Sequence, residues 1–123
     1  TLTLTTRGGQ FNLSFNPSSS ALEISHGGDP GKLHVQNVEH LKFTETDDTV
    51  VWNNQPAHMQ SLQILDGSSG VDKLDLDFIA GPLNLQALGS SLIGTGANDQ
   101  TFRFDNFEQV ILSKGNDTVT YLD

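Results

Sequence analysis

Aspartate residues recur beside turn-forming segments along this 123-residue chain. The best-preserved example is Gly67-Ser-Ser-Gly-Val-Asp72, in which two glycines permit tight turn conformations and a carboxylate follows them. Comparable aspartates stand at Asp29, Asp48, Asp99 and Asp117, each in or beside a turn. Carboxylate and carbonyl oxygens are the ligands that Ca²⁺ prefers in flexible turns. These residue types therefore predict the binding of a hard cation.

The residues expected to hold such an ion come from three turns. They are Gly67, Ser69, Gly70, Asp72, Asp99, Gly115 and Asp117. A second interpretation stays open, in which each aspartate caps its own turn through the backbone and remains solvated. Capping accounts better for Asp29 and Asp48, whereas both interpretations stand for Asp72 and Asp117.

Short apolar runs separate these turns and must position them. Residues 62–65 and 74–76 flank the central glycine turn, and similar runs precede or follow the other turns. Nothing in the chain shows a sustained apolar period of 3.6, which an amphipathic helix would need. About eleven short strands with turn signals between them predict an all-β protein.

A hidden repeat suggests how the strands are arranged. Residues 37–50 align with residues 106–119, with Asn, Glu, Asp, Thr and Val coinciding and Leu41 falling on Val110. The offset is 69 residues, or three times 23, and turns recur near each step of about 23. One strand–turn–strand corner per repeat is typical of a solenoid. The sequence predicts a parallel β-helix or β-roll-like solenoid of about five coils, with a β-sandwich as the alternative.

The turn at residues 67–75 resembles the glycine- and aspartate-rich nonapeptide of RTX proteins, the haemolysin-type calcium-binding repeat. Ser68 replaces its second glycine, and worn copies end at Asp48, Asp99 and Asp117. The resemblance implies a bacterial protein exported by type I secretion, with calcium held between successive turns in tandem. No tandem pair of turns is intact in this sequence, so a full ladder of calcium sites is not expected.

Composition narrows the classes of function. Fifteen acidic residues against six basic ones give a net charge of −9, which opposes binding to nucleic acid or to anionic membranes. Cysteine is absent, which excludes disulfides and thiolate chemistry, and no apolar run is long enough for a membrane span. We expect one domain over residues 1–123, in which residues 1–25 form an N-terminal cap, and a chain that is part of a longer protein.

We therefore expect a non-catalytic structural or binding module, extracellular and stabilised by calcium. The lysines, arginines and histidines form no acid–base group at a shared spacing, which argues against catalysis. One alternative is a carbohydrate-binding or carbohydrate-modifying β-helix. A second is a self-processing module triggered by a cation and cleaved at Asp29-Pro30. The expected partners are neighbouring domains of the longer chain, polysaccharide, or further copies joined end to end through open sheet edges.

Overall fold

The structure is a computed structural model that describes residues 1–5, 7–16, 21–28, 31–36, 38–52, 63–77, 83–95 and 101–122. Every regular element in these ranges is a β-strand, and the thirteen strands form two mixed sheets. The prediction of an all-β protein is confirmed. The described residues contain no helix that is long and apolar enough to cross a membrane.

The first sheet has seven strands, in the order β1-β5-β7-β11-β10-β9-β13. Their bounds are β1 (Leu2–Thr3), β5 (His40–Lys42), β7 (Ile64–Asp66), β9 (Asn84–Leu88), β10 (Ser91–Thr95), β11 (Thr101–Asp105) and β13 (Thr118–Tyr121). Strands β1, β5, β7 and β11 are parallel neighbours. Strand β10 is antiparallel to both β11 and β9, and β13 returns parallel to β9.

The second sheet has six strands, in the order β12-β8-β6-β2-β3-β4. Their bounds are β2 (Gly9–Asn16), β3 (Ala21–His26), β4 (Lys32–Val35), β6 (Asp48–Trp52), β8 (Lys73–Asp75) and β12 (Gln109–Ile111). Strands β12, β8, β6 and β2 are parallel, whereas β3 is antiparallel to both of its neighbours.

Short corners join the two sheets at four places. Each first-sheet strand of the parallel set is followed in the chain by a second-sheet strand: β1 by β2, β5 by β6, β7 by β8 and β11 by β12. Residues at equivalent positions then lie side by side. The first-sheet column is Leu2, Leu41, Leu65 and Phe104, and the second-sheet column is Phe11, Val50, Leu74 and Val110. The four corners are thereby stacked on one another, and they are referred to below as the corner stack.

A continuous β-helix of five coils is not formed by the described residues. Antiparallel strands β3, β4 and β10 interrupt the parallel order, because short connections fold the chain back on itself before the next corner. The 69-residue alignment also matches residues that lie in different sheets. Leu41 pairs with Leu65 in the first sheet, whereas Val110 pairs with Leu74 in the second. The stacked corners at Asp48 and Asp72 are 24 residues apart, close to the predicted 23.

The core is formed by the inward-facing side chains of both sheets. Leu41, Leu65, Val50 and Leu74 are fully buried, and they belong to one cluster with the aromatic residues Phe11, Phe43, Trp52, Phe102 and Phe104. Alternation along each strand creates this core: in β8, Leu74 is buried while Lys73 and Asp75 on either side are only half-buried. Burying a leucine side chain of this kind stabilises the fold by about 1.5–3 kcal/mol.

Gly70 shows how closely the corners approach one another. Its φ is +109°, and a Cβ there would lie 2.7 Å from the carbonyl carbon of Thr46 in the neighbouring corner. Gly89 also has a positive φ, +59°, but a Cβ there would meet no atom within 4 Å. Both positions therefore require the backbone freedom of glycine, but only Gly70 also requires the absence of a side chain for close stacking.

Replacing Gly70 with alanine should destabilise the protein more than replacing Gly89 does. The Gly89→Ala change should cost about 1–2 kcal/mol, the penalty of a left-handed conformation. The Gly70→Ala change adds a backbone clash, so we expect a further loss of at least about 1–3 kcal/mol. Urea denaturation of both variants measures the difference. Equal losses would show that the corners do not stack at Gly70.

Candidate functional site

Three acidic residues form a column at the corner stack. The pairing of Thr49 with Lys73, and of Lys73 with Gln109, brings the preceding residues, Asp48, Asp72 and Glu108, into register. The backbone N–H of Asp48 donates to Asp72 Oδ1 at 2.8 Å. The backbone N–H of Asp72 donates in turn to Glu108 Oε2 at 2.7 Å. Each carboxylate therefore satisfies the backbone of the corner next to it, and the three residues are referred to below as the carboxylate column.

Asp48 is held from within its own turn as well as from the neighbouring corner. Its two carboxylate oxygens accept hydrogen bonds from Thr44 Oγ1 at 2.8 and 2.9 Å. The side chain is 2% exposed. Burial raises the pKa of Asp48, and the hydrogen bonds from Thr44 and from the Gly9 backbone oppose this shift.

Asp72 is the most constrained member of the carboxylate column. It is fully buried, and its second carboxylate oxygen, Oδ2, has no hydrogen-bond partner among the described residues. Burial raises the pKa of Asp72 to about 7; the hydrogen bond from the Asp48 backbone opposes the shift, and the charges of Asp48, Glu108 and Asp47 add to it. A buried carboxyl group with a free oxygen is stabilised by whatever neutralises it, either a proton or a cation.

The backbone of Gly67 packs closely against this free oxygen. A Cβ on Gly67 would lie 2.6 Å from the backbone carbonyl oxygen of Asn106 and 2.9 Å from Asp72 Oδ2. Two oxygens from adjacent corners thus border the place where any other residue would have a side chain. A carboxylate and a carbonyl oxygen are both suitable ligands for a hard cation.

Side chains of the same corner and of neighbouring corners also fix the turn that carries Asp72. Asp47 Oδ1 accepts from the Val71 backbone N–H at 2.8 Å. Asp66 Oδ1 accepts from the Ser68 backbone N–H and from Asn106 Nδ2, each at 2.8 Å. Ser68 and Asn106 both have positive φ, 68° and 60° respectively, which these bonds help to hold.

The structure brings together some of the predicted ligands and separates others. Gly67, Ser69, Gly70 and Asp72 form one turn of the corner stack, as the sequence predicts. Gly115 and Asp117 lie on a different connection, from β12 back to β13, where Asp117 Oδ1 accepts from the Leu83 backbone N–H at 2.9 Å. Asp72 and Asp117 therefore do not share a corner, because the 69-residue alignment matches corners of opposite direction.

Two further predictions concern residues outside the described ranges. Asp99 belongs to the proposed ligand set, and Asp29-Pro30 is the proposed cleavage point. Within the described residues, no three His, Cys, Asp or Glu side chains are grouped so as to hold a metal ion. A cation at Asp72 would consequently depend on backbone carbonyl oxygens in addition to carboxylates.

Glu108 was not predicted as a site residue, since no glycine turn marks its corner. A weaker signal does identify it. In Asp48-Thr-Val50, Asp72-Lys-Leu74 and Glu108-Gln-Val110, an acidic residue stands two positions before an inward-facing residue of the second sheet. This spacing identifies all three residues of the carboxylate column, whereas the glycine pattern identifies only Asp72.

Comparison with known proteins yields no match: no protein-family model, no curated protein and no solved structure is similar to this chain. The functional argument therefore depends on the geometry of the corner stack.

The buried carboxyl of Asp72 should make stability depend on pH. Because its folded pKa of about 7 exceeds its ordinary value of 3.8, folding favours the protonated form. This contribution to stability is fully present below about pH 4 and is lost as the pH rises through 7. It amounts to at most about 4 kcal/mol. Urea denaturation at intervals from about pH 4 to about pH 8 measures it.

The chain has fifteen acidic residues, and the Asp72→Asn variant separates the effect of Asp72 from that of the other fourteen. Asparagine keeps an oxygen for the Asp48 backbone N–H but carries no charge. The variant should match the wild type near pH 4 and exceed its stability near pH 8. Glu45→Gln, which removes an exposed carboxylate from the neighbouring corner, serves as the control. Parallel pH profiles for wild type and Asp72→Asn would contradict the shifted pKa.

Proposed function

We propose that this chain is a non-catalytic structural module whose corner stack is stabilised by a bound cation, with calcium as the expected ion. The observation that carries the proposal is the fully buried Asp72 carboxylate, whose Oδ2 has no hydrogen-bond partner among the described residues. An unpaired buried charge is costly, so its retention at a stacked corner is explained by a ligand that neutralises it.

The donor set beside Asp72 supports calcium over other metals. Asp72 Oδ2 and the Asn106 carbonyl oxygen both lie close to Gly67, and Glu108 supplies a further carboxylate in the column. All are oxygen donors, and the chain has no cysteine that would favour zinc or copper. Calcium accepts six to eight oxygen ligands, including carbonyls and water, in irregular arrangements.

The finer description of the fold belongs to the same proposal. Four corners of one direction, stacked in parallel register, support a β-roll-like solenoid into which hairpins are inserted. The resemblance to RTX repeats is based on the sequence of the turn at residues 67–75. We propose on that basis a module of a secreted bacterial protein of RTX type, serving as a spacer or folding scaffold between other domains.

Calcium should raise the thermal stability of the chain, and the effect should require Asp72. A ligand present at 100 times its Kd stabilises the native state by about 2.7 kcal/mol. We expect the melting temperature, followed by circular dichroism near pH 8, to rise with calcium and to fall back when EGTA is added. The pH is chosen because Asp72 is then largely ionised.

Matched variants test whether the ion binds at the corner stack. In Asp72→Asn the response to calcium should disappear, whereas Glu45→Gln should retain it, since Glu45 is exposed and outside the carboxylate column. Magnesium at equal concentration should stabilise less, because it requires a regular octahedron of ligands. A wild-type melting temperature that calcium and EGTA leave unchanged would refute the proposal.

A further inference from the structure

A small polar cavity lies on the outer face of the second sheet, where β2, β3 and β4 are neighbours. Its volume is about 220 Å³, and every residue that lines it has a polar side chain. The lining residues are Asn12, Ser14, Glu23, Ser25 and Lys32. None of them belongs to the carboxylate column, so this cavity is separate from the site at the corner stack.

Strand pairing brings the lining residues together in two rows that cross the three strands. The rows are Asn12–Ser25–Lys32 and Ser14–Glu23–His34. Between the rows, Leu13 pairs with Ile24, and both are buried in the core. Because side chains alternate along a strand, both rows point outward. The cavity therefore lies on the paired surface of β2, β3 and β4 and does not involve the terminal strands β1 and β13.

The charged groups at the cavity are already paired with one another. Lys32 Nζ lies 3.8 Å from Glu23 Oε2, and His34 Nδ1 lies 3.7 Å from Glu23 Oε1. The Lys32 and His34 side chains are 60% and 62% exposed, so they stand at the solvent side of the carboxylate. One carboxylate and one ammonium group thus cancel within the lining. The cavity consequently offers no net charge to a metal ion or to an anion such as phosphate.

Hydrogen-bonding capacity remains on the other side chains. The hydroxyl groups of Ser14 and Ser25 are partly buried, and they bond to none of the residues that the structure describes. Asn12 Oδ1 accepts from Gln10 Nε2 at 3.2 Å, which leaves the Asn12 amide N–H groups to donate. With the Glu23 carboxylate as an acceptor, the cavity presents donors and acceptors side by side. This arrangement favours an uncharged ligand with several groups that both donate and accept.

A sugar ring meets these requirements, because its hydroxyl groups both donate and accept in fixed directions. The cavity is smaller than the sites of about 300–1,000 Å³ that hold drug-sized ligands, so it has room for about one ring. The described residues that line it include no aromatic side chain on which a ring could stack. Binding would depend on hydrogen bonds alone, and we expect a Kd on the order of 1 mM or weaker.

From these observations we propose that the cavity between β2, β3 and β4 binds one ring of a neutral sugar, either free or within a polysaccharide. Glu23 accepts from neighbouring hydroxyl groups of the ring, and Asn12 and Lys32 donate to its oxygens. The hydroxyl groups of Ser14 and Ser25 bond to the remaining ring hydroxyls. This binding uses none of the residues assigned to calcium.

NMR titration of the ¹⁵N-labelled 123-residue chain tests the proposal. The probes are the methyl glycosides of glucose, galactose and mannose, and linear hexasaccharides of the same sugars. At least one probe should shift the backbone amide signals of residues 12–14 and 23–25 in a saturable way, while those of residues 71–73 at the corner stack stay unchanged. A hexasaccharide that binds about tenfold more tightly than its methyl glycoside identifies a polysaccharide as the source of the ring, and equal affinities identify the free sugar.

Matched variants locate the binding site. Glu23→Gln removes the charged acceptor and should weaken binding about 10-fold, whereas Ser14→Ala removes one neutral hydrogen bond and should weaken it about fivefold. Ser14→Ala should leave the melting temperature unchanged, since the hydroxyl bonds to no described residue. Gln86→Ala, which changes an exposed polar side chain of β9 in the first sheet, should bind like the wild type.

Two results would overturn the proposal. The first is the absence of saturable shifts at residues 12–14 and 23–25 with every probe up to about 100 mM, well above the expected Kd. The second is a Glu23→Gln variant that binds the sugar as tightly as the wild type does.

Discussion

The structure depends on hydrogen bonds that cross from one corner to the next. Where the chain turns from the first sheet into the second, the backbone N–H groups of Asp48 and Asp72 point toward the neighbouring corner. Side-chain carboxylates accept both of these groups, at 2.8 and 2.7 Å. An orphaned buried N–H would cost about 1–3 kcal/mol, so the acidic residues hold the stack together at the point where the strand ladders begin.

The same bonds fix the register of the core. With Asp48 beside Asp72, the next inward positions are Val50 and Leu74, both fully buried. A slip of one residue would turn Thr49 inward and Val50 outward, because side chains alternate along a strand. Polar bonding at the corner and apolar packing beyond it therefore specify a single alignment. The disadvantage is that Asp72 is buried with one oxygen unsatisfied by the described residues, and this makes the corner sensitive to protons and cations.

Sequence patterns predicted those features that are local to a few residues. Alternation predicted the strands, and the paired glycines predicted the turn at residues 67–72. The 69-residue alignment, divided by three, predicted a spacing close to the observed 24 residues. The sequence did not predict the direction of each corner. A turn that leads from the first sheet to the second has the same residue pattern as one that leads from the second sheet back to the first. Asp117 was grouped with Asp72 for that reason, and Glu108 was missed because it acts on a backbone 36 residues away without a glycine beside it.

The antiparallel strands that interrupt the stack have a consequence for how the chain reaches its native state. Strands β2–β3–β4 and β9–β10–β11 are neighbours in sequence as well as in space, so they close short loops. The pairings β1–β5 and β7–β11 instead join segments separated by other strands, which demands greater loss of chain entropy. Local contacts form faster than distant ones, so the two meanders are the natural nuclei of folding. The parallel strands and the carboxylate column then assemble last, on the two meanders that have already formed.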